Sequence, residues 1–72
     1  MVNDEKAKLR TLLLYWITHN QEHSQVFREW ADKVKGLGED DIYDDMVQAA
    51  REMDKASESL SQALKRLEAK EL

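Results

Sequence analysis

Apolar residues in the first half of the chain recur at alternating steps of four and three: Leu9, Leu13, Trp16, then Phe27, Trp30 and Val34. Such steps keep one face of an α-helix apolar and mark the a and d positions of a heptad, the pattern of a helix packed on a helix. Between Trp16 and Phe27 the same steps fall on Asn20 and His23. In the second half Ile42, Met46, Ala49, Met53, Ala56, Leu60, Ala63 and Leu67 keep the rhythm without a break. The spacing predicts a helix over about 4–35, a turn at 36–40 and a helix over about 41–68, in one helical-hairpin domain covering 1–72.

The turn has its own signals. Lys33 and Lys35 suit the negative end of the first helix. Gly36 suits the left-handed position after it, and Leu37 the hydrophobic contact that folds back. Asp40 or Asp41 can cap the second helix, with Asp44 and Asp45 near its positive end and Lys65, Arg66 and Lys70 at the other. A link this short makes the helices antiparallel neighbours. With the turn centred near Gly38, Phe27 is expected opposite Ala49, Leu13 opposite Ala63 and Asn20 opposite Ala56, large facing small. Trp16 opposite Leu60 and Trp30 opposite Met46 are bulky against bulky and need room elsewhere.

The apolar stripe is wider than one seam. Leu12 and Val26 flank it at g positions of helix 1, and Tyr43, Ala50 and Leu64 at e positions of helix 2. That width belongs to a helix of a bundle. Seventy-two residues without a cysteine have no disulfide to lean on, so a second subunit or a metal is the expected source of missing stability. The fold class is therefore all-α: an antiparallel two-helix hairpin that dimerises into a four-helix bundle, with Leu13, Trp16, Phe27, Trp30, Met46, Met53 and Leu60 as its core and dimer residues. In outline this resembles the Rop-type dimers of helical hairpins, which bind RNA; no RNA-contacting motif is matched, so only the architecture carries over.

Composition narrows the function. The net charge of −4 disfavours a nucleic-acid surface. The longest apolar run, Leu12 to Ile17, is far short of the ~20 residues that span a membrane. The start Met1-Val2-Asn3-Asp4-Glu5 lacks the pattern of a signal peptide, so a cytoplasmic protein is expected.

The polar interruption of helix 1 is the chemically specific feature. Asn20 takes an a position, His23 a d position and His19 the flanking g position. Mid-bundle polar groups need a hydrogen bond or a metal. His19 and His23, four apart, stand one turn apart on one face and can share a Zn, Ni, Co, Cu or Fe ion. Glu52 is the expected third ligand from helix 2, with Asp54 on the outer surface. There is no H-E-x-x-H motif, and Asn20 stands where a di-iron bundle would place Glu. A structural polar layer of Asn20 and His23, fixing register or oligomeric state, accounts for the same residues, as does a pH-sensitive pair. The stretch Trp16-Ile17-Thr18-His19-Asn20-Gln21-Glu22-His23, followed by Phe27 and Trp30, resembles small uncharacterised prokaryotic helical-hairpin proteins with a Trp-x-x-His-Asn-x-x-His core. That resemblance brings no established activity.

The remaining features read plainly. Glu39-Asp40-Asp41 with Asp44 and Asp45 lacks the order of an EF-hand and is better explained by capping. Leu14, Tyr15 and Ile17 can form a small patch for another protein. Ser57, Ser59 and Ser61 have no base beside them, and no nucleophile elbow or phosphate loop occurs, so a non-enzyme is expected. Three functions follow in order: a homodimeric interaction or assembly module, a metal-binding protein using His19, His23 and Glu52, and a nucleic-acid-binding hairpin.

Overall fold

A computed structural model describes residues 4–70. The N-terminal segment read above for a signal peptide begins outside them, at 1–3. Two helices, α1 (Asp4–Gly36) and α2 (Asp40–Lys70), pack against each other as a hairpin. Acidic residues open both helices and basic ones close both, in agreement with the helix dipoles. Among the described residues no helix is long and apolar enough to cross a membrane.

The turn is a Schellman closure, displaced from the expected place. Glu39 N–H donates to Val34 O at 3.5 Å and Gly38 N–H to Lys35 O at 3.0 Å, the two bonds that define the motif. Gly38, with φ of 81°, therefore holds the left-handed position, and Gly36 is the last residue of α1. Leu37 does not fold back: it is 78% exposed. The helix runs further than expected because glycine is tolerated in a last turn, whereas the left-handed residue must lack a Cβ to avoid strain. Glu39 O accepts the first bond of α2, from Tyr43 N–H at 3.0 Å, and Asp41 Oδ1 accepts from Ile42 N–H at 2.9 Å.

The hairpin is phased differently from the large-residue pattern. Apart from His19 and His23, the buried and half-buried positions of α1 are Arg10, Leu13, Ile17, Asn20, Ser24, Phe27, Ala31 and Val34. They step by three and four without interruption. Leu13, Asn20, Phe27 and Val34 belong to the expected series, but its alternate members move one residue on, from 9, 16, 23 and 30 to 10, 17, 24 and 31. The second helix turns the same way, so that Tyr43, Ala50, Ser57 and Leu64 replace Ile42, Ala49, Ala56 and Ala63 in the seam. Ala56 and Ala63 are exposed, so the layers expected for them with Asn20 and Leu13 do not form in the hairpin.

Small side chains explain the phase. Ser24, Ala31, Ala50 and Ser57 are buried, and Ser24 Oγ reaches the backbone carbonyl of Ala50 at 3.3 Å. A hydroxyl on a one-carbon side chain can touch the opposite backbone only where the helices lie close together. The two tryptophans do not fit such a seam. Trp16 stays 39% and Trp30 53% exposed. Met46, Met53, Leu60 and Phe27 are half-buried, and among the described residues no large side chain is fully buried. Ser57 Oγ is buried without a hydrogen-bond partner among them.

Candidate functional site

Removing the seam from α1 leaves a second stripe: Leu9, Leu12, Trp16, His19, His23, Val26 and Trp30. It too steps by three and four throughout, and it lies beside the seam rather than in it. All five of its apolar members are exposed, whereas both histidines are half-buried. On α2 the corresponding stripe is Ile42, Ala49, Ala56 and Ala63, with Met46, Met53 and Leu60 half-buried along its edge. One side of the hairpin thus carries apolar positions from both helices, with two imidazoles at its middle.

Those imidazoles touch. His19 Nε2 and His23 Nε2 are 2.9 Å apart, one accepting the proton that the other donates. A ladder of rings at four-residue intervals holds them. Tyr15 stacks on His19 at 5.4 Å between centroids and 15° between planes. His19 meets His23 edge-on at 4.4 Å and 80°, and His23 leans on Phe27 at 5.8 Å. These contacts restrict the rings, and the two Nε2 atoms face each other across the hydrogen bond. The expected bond of His23 to Asn20 across a dimer axis is not needed to satisfy His23 within the hairpin.

Glu52 is not brought to the histidines. It is exposed and accepts from Gln48 Nε2 at 3.4 Å, one turn back on its own helix. Among the described residues no three His, Asp or Glu side chains gather in one chain at metal-binding distance. Helix 2 is turned by the small-residue seam, which carries its g positions out to solvent.

Asp54 was expected on the outer surface and instead ties the two helices together. Its Oδ1 accepts from Ser24 Oγ at 2.7 Å and its Oδ2 from Arg28 Nη2 at 2.6 Å. The Ser24 hydroxyl, with the Arg28 bond and charge, holds the Asp54 carboxyl below its ordinary value of 3.8, against a small opposing effect of desolvation. Because the folded value is depressed, the stabilisation is complete above 3.8 and is lost as pH falls through the lower, folded value. Both side chains of the pair are nearly half exposed, so the effect is small. In acid titrations followed by thermal melting, Asp54→Asn is expected to melt slightly below the parent at neutral pH. The two curves converge as the parent protonates below pH 3.8.

This polar triad lies on the far side of the seam from the histidines, beside an open groove lined by Gln21, Asp54, Ser57, Glu58 and Lys65. Leu14 and Tyr15, 51% and 59% exposed, lie off both stripes. At the turn end, Lys33 Nζ sits 4.2 Å above the Trp30 ring and Lys35 Nζ 4.9 Å above Tyr43.

A family model described as a domain of unknown function, DUF8180, matches residues 9–67. No curated protein and no solved structure matches the chain significantly. The matched segment opens at Leu9, the first residue of the exposed stripe, and closes at Leu67, the last buried residue of the seam.

Proposed function

From the premise that the chain belongs to the DUF8180 family, whose segment holds both stripes and the histidine pair, we propose that it is a homodimeric assembly module. Two hairpins close over their exposed apolar sides into a four-helix bundle, leaving the charged outer surface and ends to meet another protein. The observation that carries this reading is the second stripe of α1, from Leu9 to Trp30. Scattered exposed leucines are ordinary on a monomer, but a full set at helix-packing steps is the mark of a helix with two neighbours.

Magnitudes agree. A compact monomer of 8.4 kDa exposes about 4600 Å², and this hairpin exposes 5693 Å². Its radius of gyration is 16.5 Å, where a compact chain of this length has about 11 Å. The Cα trace extends 58 × 14 × 12 Å, so one broad side covers about 800 Å², the contribution of one partner to a standard stable interface.

Sedimentation equilibrium at micromolar concentration tests it. The expected species has twice the 8.4 kDa chain mass and dissociates together with unfolding. A cooperatively melting single copy at high micromolar concentration overturns the module.

A second reading, a small metal-binding protein, is favoured by one observation: the 2.9 Å approach of the two Nε2 atoms.

A further inference from the structure

We infer that the dimer holds one tetrahedral divalent metal ion, Zn²⁺ or Co²⁺, on its twofold axis, bound by His19 and His23 of both copies. The inference rests on the dimer proposed above and adds to it a site that neither chain can complete alone.

The first step is the geometry of one pair. Two nitrogens bound tetrahedrally to Zn²⁺ at about 2.0–2.1 Å lie about 3.3–3.4 Å from each other. The two Nε2 atoms are already 2.9 Å apart, so a metal replacing their shared proton needs them to separate by only a few tenths of an ångström. Their rings are held in place from both sides by Tyr15 and Phe27. Imidazole nitrogens suit a borderline ion such as Zn²⁺ or Co²⁺ better than Mg²⁺ or Ca²⁺, which take oxygen ligands.

The second step is the missing half. A structural tetrahedral site takes four protein ligands, and one chain gathers no third His, Asp or Glu at the pair among the described residues. Glu52, the third ligand expected from the sequence, accepts a hydrogen bond from Gln48 instead. The remaining ligands therefore come from a second copy.

The third step is where that copy sits. α1 runs from Asp4 to Gly36, and the exposed stripe from Leu9 to Trp30 is centred between His19 and Asn20. Two rods that cover each other's apolar side without overhanging ends must have their midpoints level. This holds whether the turns lie at the same end of the bundle or at opposite ends. In either case the twofold axis brings one histidine pair level with the other, at the middle of the bundle. A tetrahedron has a twofold axis that exchanges one pair of vertices for the other, so the symmetry of the dimer and of the ligand set coincide. The ion's charge enters an assembly whose chains each carry −4.

The experiment is calorimetric titration of the full chain with ZnSO₄ at neutral pH, with sedimentation velocity on the same samples with and without chelator. The expected result is saturation at half an ion per chain, a dimer in both conditions and a higher melting temperature with Zn²⁺. Co²⁺ is expected to give the strong visible absorption of a four-coordinate ion at the same stoichiometry. By symmetry His19→Ala alone strips two of the four ligands, and it is expected to abolish saturable uptake while the protein remains dimeric. His19→Gln serves the same purpose where Ala fails to fold. A dimer that takes up no Zn²⁺, or one that takes up one ion per chain, overturns the shared site and leaves the dimer standing. A chain that stays monomeric with and without Zn²⁺ overturns both.

Discussion

Trp16→Ala and Trp30→Ala are each expected to weaken self-association by about a thousandfold. Trp16 is 39% and Trp30 53% exposed in a single hairpin, in a stripe that also holds Leu9, Leu12, His19, His23 and Val26. A tryptophan enclosed in an interface typically costs about 2 kcal/mol or more when truncated to alanine. A twofold interface uses the same residue twice, so one substitution removes about 4 kcal/mol, close to three powers of ten in the dissociation constant. Sedimentation equilibrium over a range of concentrations reads the change directly. Leu37→Ala and Leu14→Ala are the controls, since both residues are as exposed as the tryptophans but lie off the stripe. If the controls weaken the dimer as much as the tryptophan variants do, the interface lies elsewhere and the stripe has another use.

The helices and their antiparallel pairing were legible in the sequence because periodicity, end charges and a glycine-bearing turn all report on local structure, whereas the closure on Gly38 rather than Gly36 was not. The phase of the seam was not legible, for a specific reason. A hydrophobic pattern follows the largest apolar residues, and here Trp16, Trp30 and Ile42 mark the outward stripe. The inward one is set by Ser24, Ala31, Ala50 and Ser57, two of them polar and none large. The series of large apolar residues and the observed seam share Leu13, Asn20, Phe27 and Val34, so either phase fits the four-three count. What discriminates is closeness of the helices, which only small residues permit and which no single-residue hydrophobicity encodes.

The same misphasing touched the candidate site. His19 and His23 were recognisable from spacing alone, because four residues along a helix is one turn, and their contact at 2.9 Å follows from it. Glu52 was assigned from a register in which helix 2 showed its g positions to helix 1; the actual rotation turns Glu52 to solvent and brings Asp54 to Ser24 and Arg28. The signal for Asp54 was present in its e-side neighbours. Ala50 and Ser57 flank it at one turn in each direction, and a small residue on both sides leaves room for a carboxylate to reach across.

Ala50→Leu is expected to cost the larger part of the hairpin's own stability. Ala50 is wholly buried, and its carbonyl oxygen lies 3.3 Å from the hydroxyl of Ser24 on the facing helix. Three added carbon atoms have nowhere to go except between the helices. Overpacking of a tight contact typically costs about 1–3 kcal/mol, and a core of this size supplies only about 3–5 kcal/mol. Separating the helices here also pulls Ser24 from both Ala50 and Asp54, so the loss falls toward the upper end. Ala50→Ser separates size from polarity: it keeps the small volume, adds a hydroxyl that can bond back to its own helix, and is expected to lose far less. Urea denaturation of the three proteins at one concentration gives the order. Equal midpoints for Ala50→Leu and the parent show that the helices are not held close at this layer, and the seam of small residues then cannot be what orients the outward stripe.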